Sequence, residues 1–158
     1  SFTELNLNNM KTLELTEMIS FAAVKRKVSA RITKKPNKCY WVLIIDEDEE
    51  LRKSYRKVIE REGHMIIECK TGFEALKSLP QYNPKVVIME LKFSDINGLE
   101  LLKALRQRQP PPGVIICTTK AGFQYDVDVV SYPKMKFLVK PVVPDYIYNA
   151  LREFITKN

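Results

Sequence analysis

Five short apolar runs spaced through residues 40–158 constrain this chain more than any other feature. They are Trp41–Ile45, Met65–Ile67, Val86–Met89, Val114–Cys117 and Phe137–Val139. Most are β-branched and bounded by charge, Gly or Pro, the pattern of strands buried on both faces. Helical periodicities lie between them. Leu51, Tyr55, Val58 and Ile59 share one face of a helix that stops at Gly63. Phe73, Leu76 and Leu79 make a second face, ended by Pro80. Leu99, Leu102 and Leu105 make a third, ended before the three prolines at 110–112. Ala121–Val130 has the least regular spacing, and Ile147, Ala150, Leu151, Phe154 and Ile155 form the last face. Strand and helix alternating five times predicts a parallel five-stranded α/β sheet with helices on both faces.

Residues 1–38 break this rhythm and read as a helical extension or linker ahead of a domain spanning 39–158. Leu15, Met18, Ile19, Ala22 and Ala23 outline a short amphipathic helix within residues 12–30. A basic run follows, from Lys25 to Lys35, and Pro36-Asn37 closes the linker. The net charge of +7 is concentrated here, with eight Lys/Arg against three Glu in residues 1–40. Such a segment suits a solvated helix face or a dimerisation arm. A nucleic-acid binder is the alternative, disfavoured by the lack of a complete helix-turn-helix pattern.

Composition excludes other classes. No run approaches the roughly 18 apolar residues of a membrane helix, and the start lacks the pattern of a secretory signal. The first residue is not Met, so the chain is expected to be a fragment of something longer. Cys39, Cys69 and Cys117 have no metal-ligand spacing and fit reduced thiols of a cytoplasmic protein. His64 follows Gly63 and reads as a turn residue.

In a parallel α/β sheet the functional crevice lies beyond the carboxyl ends of the strands. After the first run comes Asp-Glu-Asp-Glu-Glu, residues 46–50. Glu90 follows the third run, Thr118 and Thr119 end the fourth, and Lys140-Pro141 follow the fifth. Convergent carboxylates suit a hard cation such as Mg²⁺. A lysine and a hydroxyl beside them suit a phosphoryl group. An acidic helix N-terminus accounts for Asp48, Glu49 and Glu50 alone, but not for Lys140 and Thr118.

Three stretches carry a family resemblance: VLIIDEDEELRKSYRKVIEREGHMIIECKTGFEALKSL, VVIMELKFSDINGLELLKALR and FLVKP. Together they resemble the response-regulator receiver domain of two-component systems, with its CheY-like, flavodoxin-like fold and strand order 2-1-3-4-5. The resemblance implies that Asp46 and Glu47 are the acidic pair, that Glu90 stands at the phosphoacceptor, and that these three are the Mg²⁺ ligands. It also implies that Thr118 and Phe137 are the switch residues and that Lys140 pairs with phosphate, with a cis peptide before Pro141. Three positions depart from the pattern. Glu90 replaces aspartate, Ser94 replaces the usual proline, and Thr119 replaces a small residue. Lys92 and Lys120 flank the pocket, and either amine is expected to compete with Mg²⁺ for Asp46, Glu47 and Glu90.

The expected function is therefore a non-enzymatic pseudo-receiver, acting by protein–protein interaction. Its partner, a histidine kinase or an effector, is expected on the face of helix four, strand five and helix five, near residues 121–157. Phe123, Tyr125, Val129, Tyr132, Tyr146 and Tyr148 fall there; a homodimer is the other expected partner, with the N-terminal helix as its dimerisation arm. A working phosphorelay receiver is the main alternative. A metal-dependent phosphohydrolase is the enzyme alternative, disfavoured by Lys92 where a further acid would be needed.

Overall fold

A computed structural model describes residues 38–156. The strands are β1 (Trp41–Ile45), β2 (Met65–Cys69), β3 (Val86–Met89), β4 (Gly113–Thr118) and β5 (Met135–Val139). All neighbours pair in parallel, in the order β2-β1-β3-β4-β5. The helices are α1 (Glu49–Arg61), α2 (Gly72–Tyr82), α3 (Gly98–Arg106), a single-turn α4 (Val127–Val130) and α5 (Pro144–Thr156). The amphipathic helix expected within residues 12–30 lies outside the described residues.

The three central strands are buried throughout, apart from half-buried Trp41. Their side chains alternate between two cores, as the strand period of two requires. Leu43, Ile45, Val87, Met89, Val114 and Ile116 pack with α2, α3 and α4. Val42, Ile44, Val86, Ile88, Ile115 and Cys117 pack with α1 and α5. The continuous apolar runs in the sequence are therefore strands covered on both faces. β2 and β5 lie at the edges and are only partly buried.

Local chemistry sets the helix starts. Asp48 accepts a hydrogen bond from Leu51 N, Thr71 from Glu74 N and Asn97 from Leu99 N. Helix α1 ends before Gly63, whose φ of 81° is a left-handed value that glycine adopts without strain.

Two helical expectations need correction. Helix α2 runs through Pro80 to Tyr82, and the chain leaves it at Asn83 in the left-handed region, with Asn83 N bonded to Leu79 O. Pro80 lies in the last turn, so the hydrogen bond it cannot donate is the main loss. The buried face of α2 is Gly72, Ala75 and Leu79, whereas Phe73 and Leu76 are exposed. Ile96 occupies the space where a side chain on Gly72 would begin. The chain after β3 thus sits directly against the start of α2. The region 121–130 divides into a 3-10 turn, Ala121–Tyr125, and then α4.

His64 is a buried residue rather than a simple turn position. Its Nδ1 accepts the Tyr40 N–H at 3.2 Å. Cys69 and Cys117 are buried free thiols, and Cys39 is exposed. No helix among the described residues is long and apolar enough to cross a membrane.

Candidate functional site

The hydrogen-bond ladder continues one residue past several strand ends. Asp46 N donates to Cys69 O, Glu90 N to Ile45 O at 3.0 Å, and Lys140 N to Thr118 O at 2.8 Å. Register alone therefore brings Asp46, Glu90, Thr118 and Lys140 to one edge of the sheet. The Lys140–Pro141 peptide is cis, as expected from the sequence.

Lys140 Nζ lies 2.9 Å from Asp46 Oδ2 and 2.8 Å from Glu90 Oε2. Glu90 Oε1 accepts hydrogen bonds from Leu91 N at 2.7 Å and Lys92 N at 3.2 Å. The Thr118 hydroxyl accepts from Lys120 N at 3.2 Å. Burial raises the Glu90 pKa, but the nearby Lys140 ammonium, the Thr118 side chain and the Leu91 N–H outweigh it and hold the carboxyl below its usual range. Burial likewise opposes the Lys140 ammonium, and its bonds to Glu90 and Asp46 outweigh that cost and raise its pKa.

Asp46 is almost fully buried, and its Oδ1 accepts the Asp48 N–H at 2.9 Å. Beneath the loop that follows β1, the buried Arg52 donates to Asp46 O at 2.7 Å and Glu47 O at 3.2 Å. Arg52 is in turn 3.6 Å from Glu68, whose carboxylate forms a two-pronged pair with Arg56. Sequence reasoning missed Arg52. Its signal was a charged residue at helical spacing from Tyr55 and Ile59 on the buried stripe of α1.

Glu47 behaves differently from its neighbour. It is exposed, and its Oε1 accepts both Ser94 N, at 2.8 Å, and the Ser94 hydroxyl. The two bonds from Ser94, side chain first, hold its carboxyl below the usual range. The structure thus joins Asp46, Glu90, Thr118 and Lys140, while Glu47 belongs to a separate contact. Phe137 is half-buried against the core shared with α3 and α4.

The ammonium on the buried carboxylates is that of Lys140. Lys92 and Lys120 are exposed, and neither forms an ion pair with Asp46, Glu47 or Glu90. Staying in water avoids the desolvation that Lys140 offsets with two carboxylates. Among the described residues no three acidic, His or Cys side chains converge as a metal site. With Glu47 on Ser94 and Lys140 between the other two, this arrangement does not fit a Mg²⁺ ion.

On the face near residues 121–157, Tyr125 and Tyr146 are exposed. Val129 and Tyr132 are core residues, with the Tyr132 hydroxyl bonded to Pro112 O at 2.7 Å. Phe123 and Tyr148 are partly buried. Burying the Tyr132 ring while its hydroxyl finds a carbonyl explains how a tyrosine serves the core.

Comparison with known proteins agrees with the fold. A family model described as the response regulator receiver domain matches residues 42–152. Chemotaxis protein CheY of Thermotoga maritima is 24% identical over 113 residues, covering 71% of this chain and 94% of CheY. The positive alginate biosynthesis regulatory protein of Pseudomonas aeruginosa is 29% identical over 115 residues, covering 71% of this chain but 46% of that protein. The chain therefore spans less than half the length of that regulator. Among solved structures, a CheY-like receiver domain protein from Methanospirillum hungatei superposes with a TM-score of 0.68 at 25% identity, over 76% of this chain and 96% of that one. TrrA of Thermotoga maritima, solved in complex with Mg²⁺-BeF, gives a TM-score of 0.65 at 22% identity, over 73% of this chain and 98% of that one. The match to the family model across most of the chain, on a sheet of order 2-1-3-4-5, makes this protein a member of the response regulator receiver domain family.

Proposed function

We propose that this chain is a pseudo-receiver, which signals by binding a partner and not by accepting a phosphoryl group. The observation that carries this reading is the engagement of Glu90. Its carboxylate pairs with Lys140 and accepts from two backbone N–H groups. Glu90 also reaches about 1.5 Å further than aspartate, the length of one C–C bond. In-line phosphoryl transfer tolerates little displacement of the attacking oxygen. Its charge already lies toward Lys140, where a phosphoryl group would otherwise draw it.

Incubation with acetyl phosphate and Mg²⁺ is expected to add no phosphoryl mass of about 80 Da. A stoichiometric gain mapped to Glu90 overturns the reading and favours a working phosphorelay receiver. A gain in Glu90→Asp alone supports it, because that result traces the block to the length of the acceptor side chain.

The partner surface in this reading is the α4–β5–α5 face, and the partner is a signalling protein, either a kinase or an effector. Exposed Tyr125, Val127 and Val130 precede β5, Val139 ends it, and Val143 and Tyr146 stand at the start of α5. Exposed aromatic and branched residues drawn from three adjoining elements favour a protein contact over a solvated surface. Homodimerisation through this face is a testable variant. In this reading the segment ahead of the domain serves as an appended linker, and a cytoplasmic setting accompanies it.

A further inference from the structure

We infer that Ser94 decides whether this pocket takes a divalent cation, by holding Glu47 away from it. Glu47 lies on the loop after β1 and Ser94 on the loop after β3. The contact between them uses both donors that Ser94 possesses, its N–H and its hydroxyl. Proline, the residue usual at this position in the resembling pattern, has neither donor. The replacement therefore gives an exposed carboxylate two partners that proline would deny it.

The donor is held in place from both sides. Asp95 accepts hydrogen bonds from Gly72 N and Phe73 N, which ties the loop to the first turn of α2. At the loop's base, Lys92 pairs with Asn97, and Gly98 N donates to Leu91 O at 3.1 Å. Ser94 is thus presented from a braced loop, and Glu47 loses little in meeting it. The pKa of Glu47 is lowered for the same reason.

The remaining acids cannot compensate. Asp46 Oδ2 and Glu90 Oε2 both face the Lys140 ammonium. An entering Mg²⁺ would have to draw Glu47 from the position in which Ser94 holds its Oε1, or reach it through Oε2 alone, and share the other two carboxylates with a fixed positive charge. Lys140 is a feature of the resembling family pattern, so it does not distinguish this chain. Ser94 does, and Lys92 and Lys120 take no part.

The inference rests on the proposed reading only in assigning these acids to one pocket, and it is tested by metal binding alone. A phosphoryl gain at Glu90 would overturn the proposed function and leave this test standing. The experiment titrates wild type, Ser94→Ala, Ser94→Pro and the Ser94→Ala/Glu47→Gln double variant with Mg²⁺ by calorimetry. Affinity is expected to rise from wild type to Ser94→Ala to Ser94→Pro, by about tenfold or more overall, and the double variant is expected to lose the gain. Equal affinity in wild type and Ser94→Ala, whether tight or weak, overturns the inference. Amide exchange supplies a second measurement if the proline variant does not fold. The exposed Ser94 amide should be protected in wild type and released in Glu47→Ala, which has no side-chain acceptor, and equal exchange in the two removes the clamp.

Discussion

The Lys140 ammonium and the Glu90 carboxylate meet at 2.8 Å with side chains 14% and 10% exposed. An ion pair so enclosed is costly to break from one side, because the partner left behind keeps its charge without compensation.

Lys140→Met is accordingly expected to destabilise the domain by about 3 kcal/mol, since Asp46 and Glu90 then face each other with no cation. Adding Glu90→Gln should restore part of the loss, so the two changes are non-additive. Urea unfolding of the two single variants and the double variant checks this. Additive losses would mean that the pair is not coupled.

Acid should weaken the same pair. The Glu90 pKa lies below its ordinary 4.5, so its contribution is present above that value and fades as pH falls through the lowered one. Lys140 lies above its ordinary 10.5, so its contribution is complete below that value and fades as pH rises through the raised one. Glu90→Gln should flatten the acid limb of the stability profile relative to wild type.

His64 should add a second limb nearer neutrality. Burial lowers its pKa from 6.5, and its Nδ1 accepts the Tyr40 N–H. Protonation removes that acceptor. The stabilising effect of neutral His64 is therefore present above 6.5 and lost as pH falls from there through the lowered value. Comparing urea midpoints of wild type and His64→Leu across this window tests it. Parallel profiles would show that His64 does not titrate with unfolding.

Arg52 supports the acidic loop from beneath. Arg52→Met should cost about 2 kcal/mol, because the Asp46 and Glu47 carbonyls lose a charged donor. Amide exchange near Asp48 should quicken. Arg52→Lys should not restore wild-type stability, since one ammonium cannot reproduce a planar fork serving two carbonyls and Glu68.

Core and partner surface should separate under mutation. Leu101→Ala, at a fully buried position, should cost about 3 kcal/mol. Tyr125→Ala and Tyr146→Ala, at exposed positions, should each change stability by less than about 0.5 kcal/mol. The two tyrosine changes together should weaken self-association or partner capture. Unchanged binding with a confirmed partner would move the contact away from α4–β5–α5.

Strand positions were legible in the sequence because burial on both faces demands unbroken apolar runs, and Trp41–Ile45 and Val86–Met89 match the structure end to end. The strand-end residues Asp46, Glu90, Thr118 and Lys140 were legible for a related reason: parallel register brings the end of every strand to one edge. What the side chains at that edge do was decided only by tertiary contacts. Spacing along the chain carries no information on which amine reaches Glu90: Lys92 and Lys120 were the amines expected on the acids, and β5 delivers Lys140 instead. The same holds for Phe73 and Leu76, which periodicity places inward and the folded structure leaves exposed, with Gly72, Ala75 and Leu79 buried instead. It holds most clearly for Glu47, whose partner Ser94 is 47 residues away. Hydrophobic pattern reports which face of an element avoids water. The pairing of individual polar atoms depends on distances that exist only once separate loops have folded against each other.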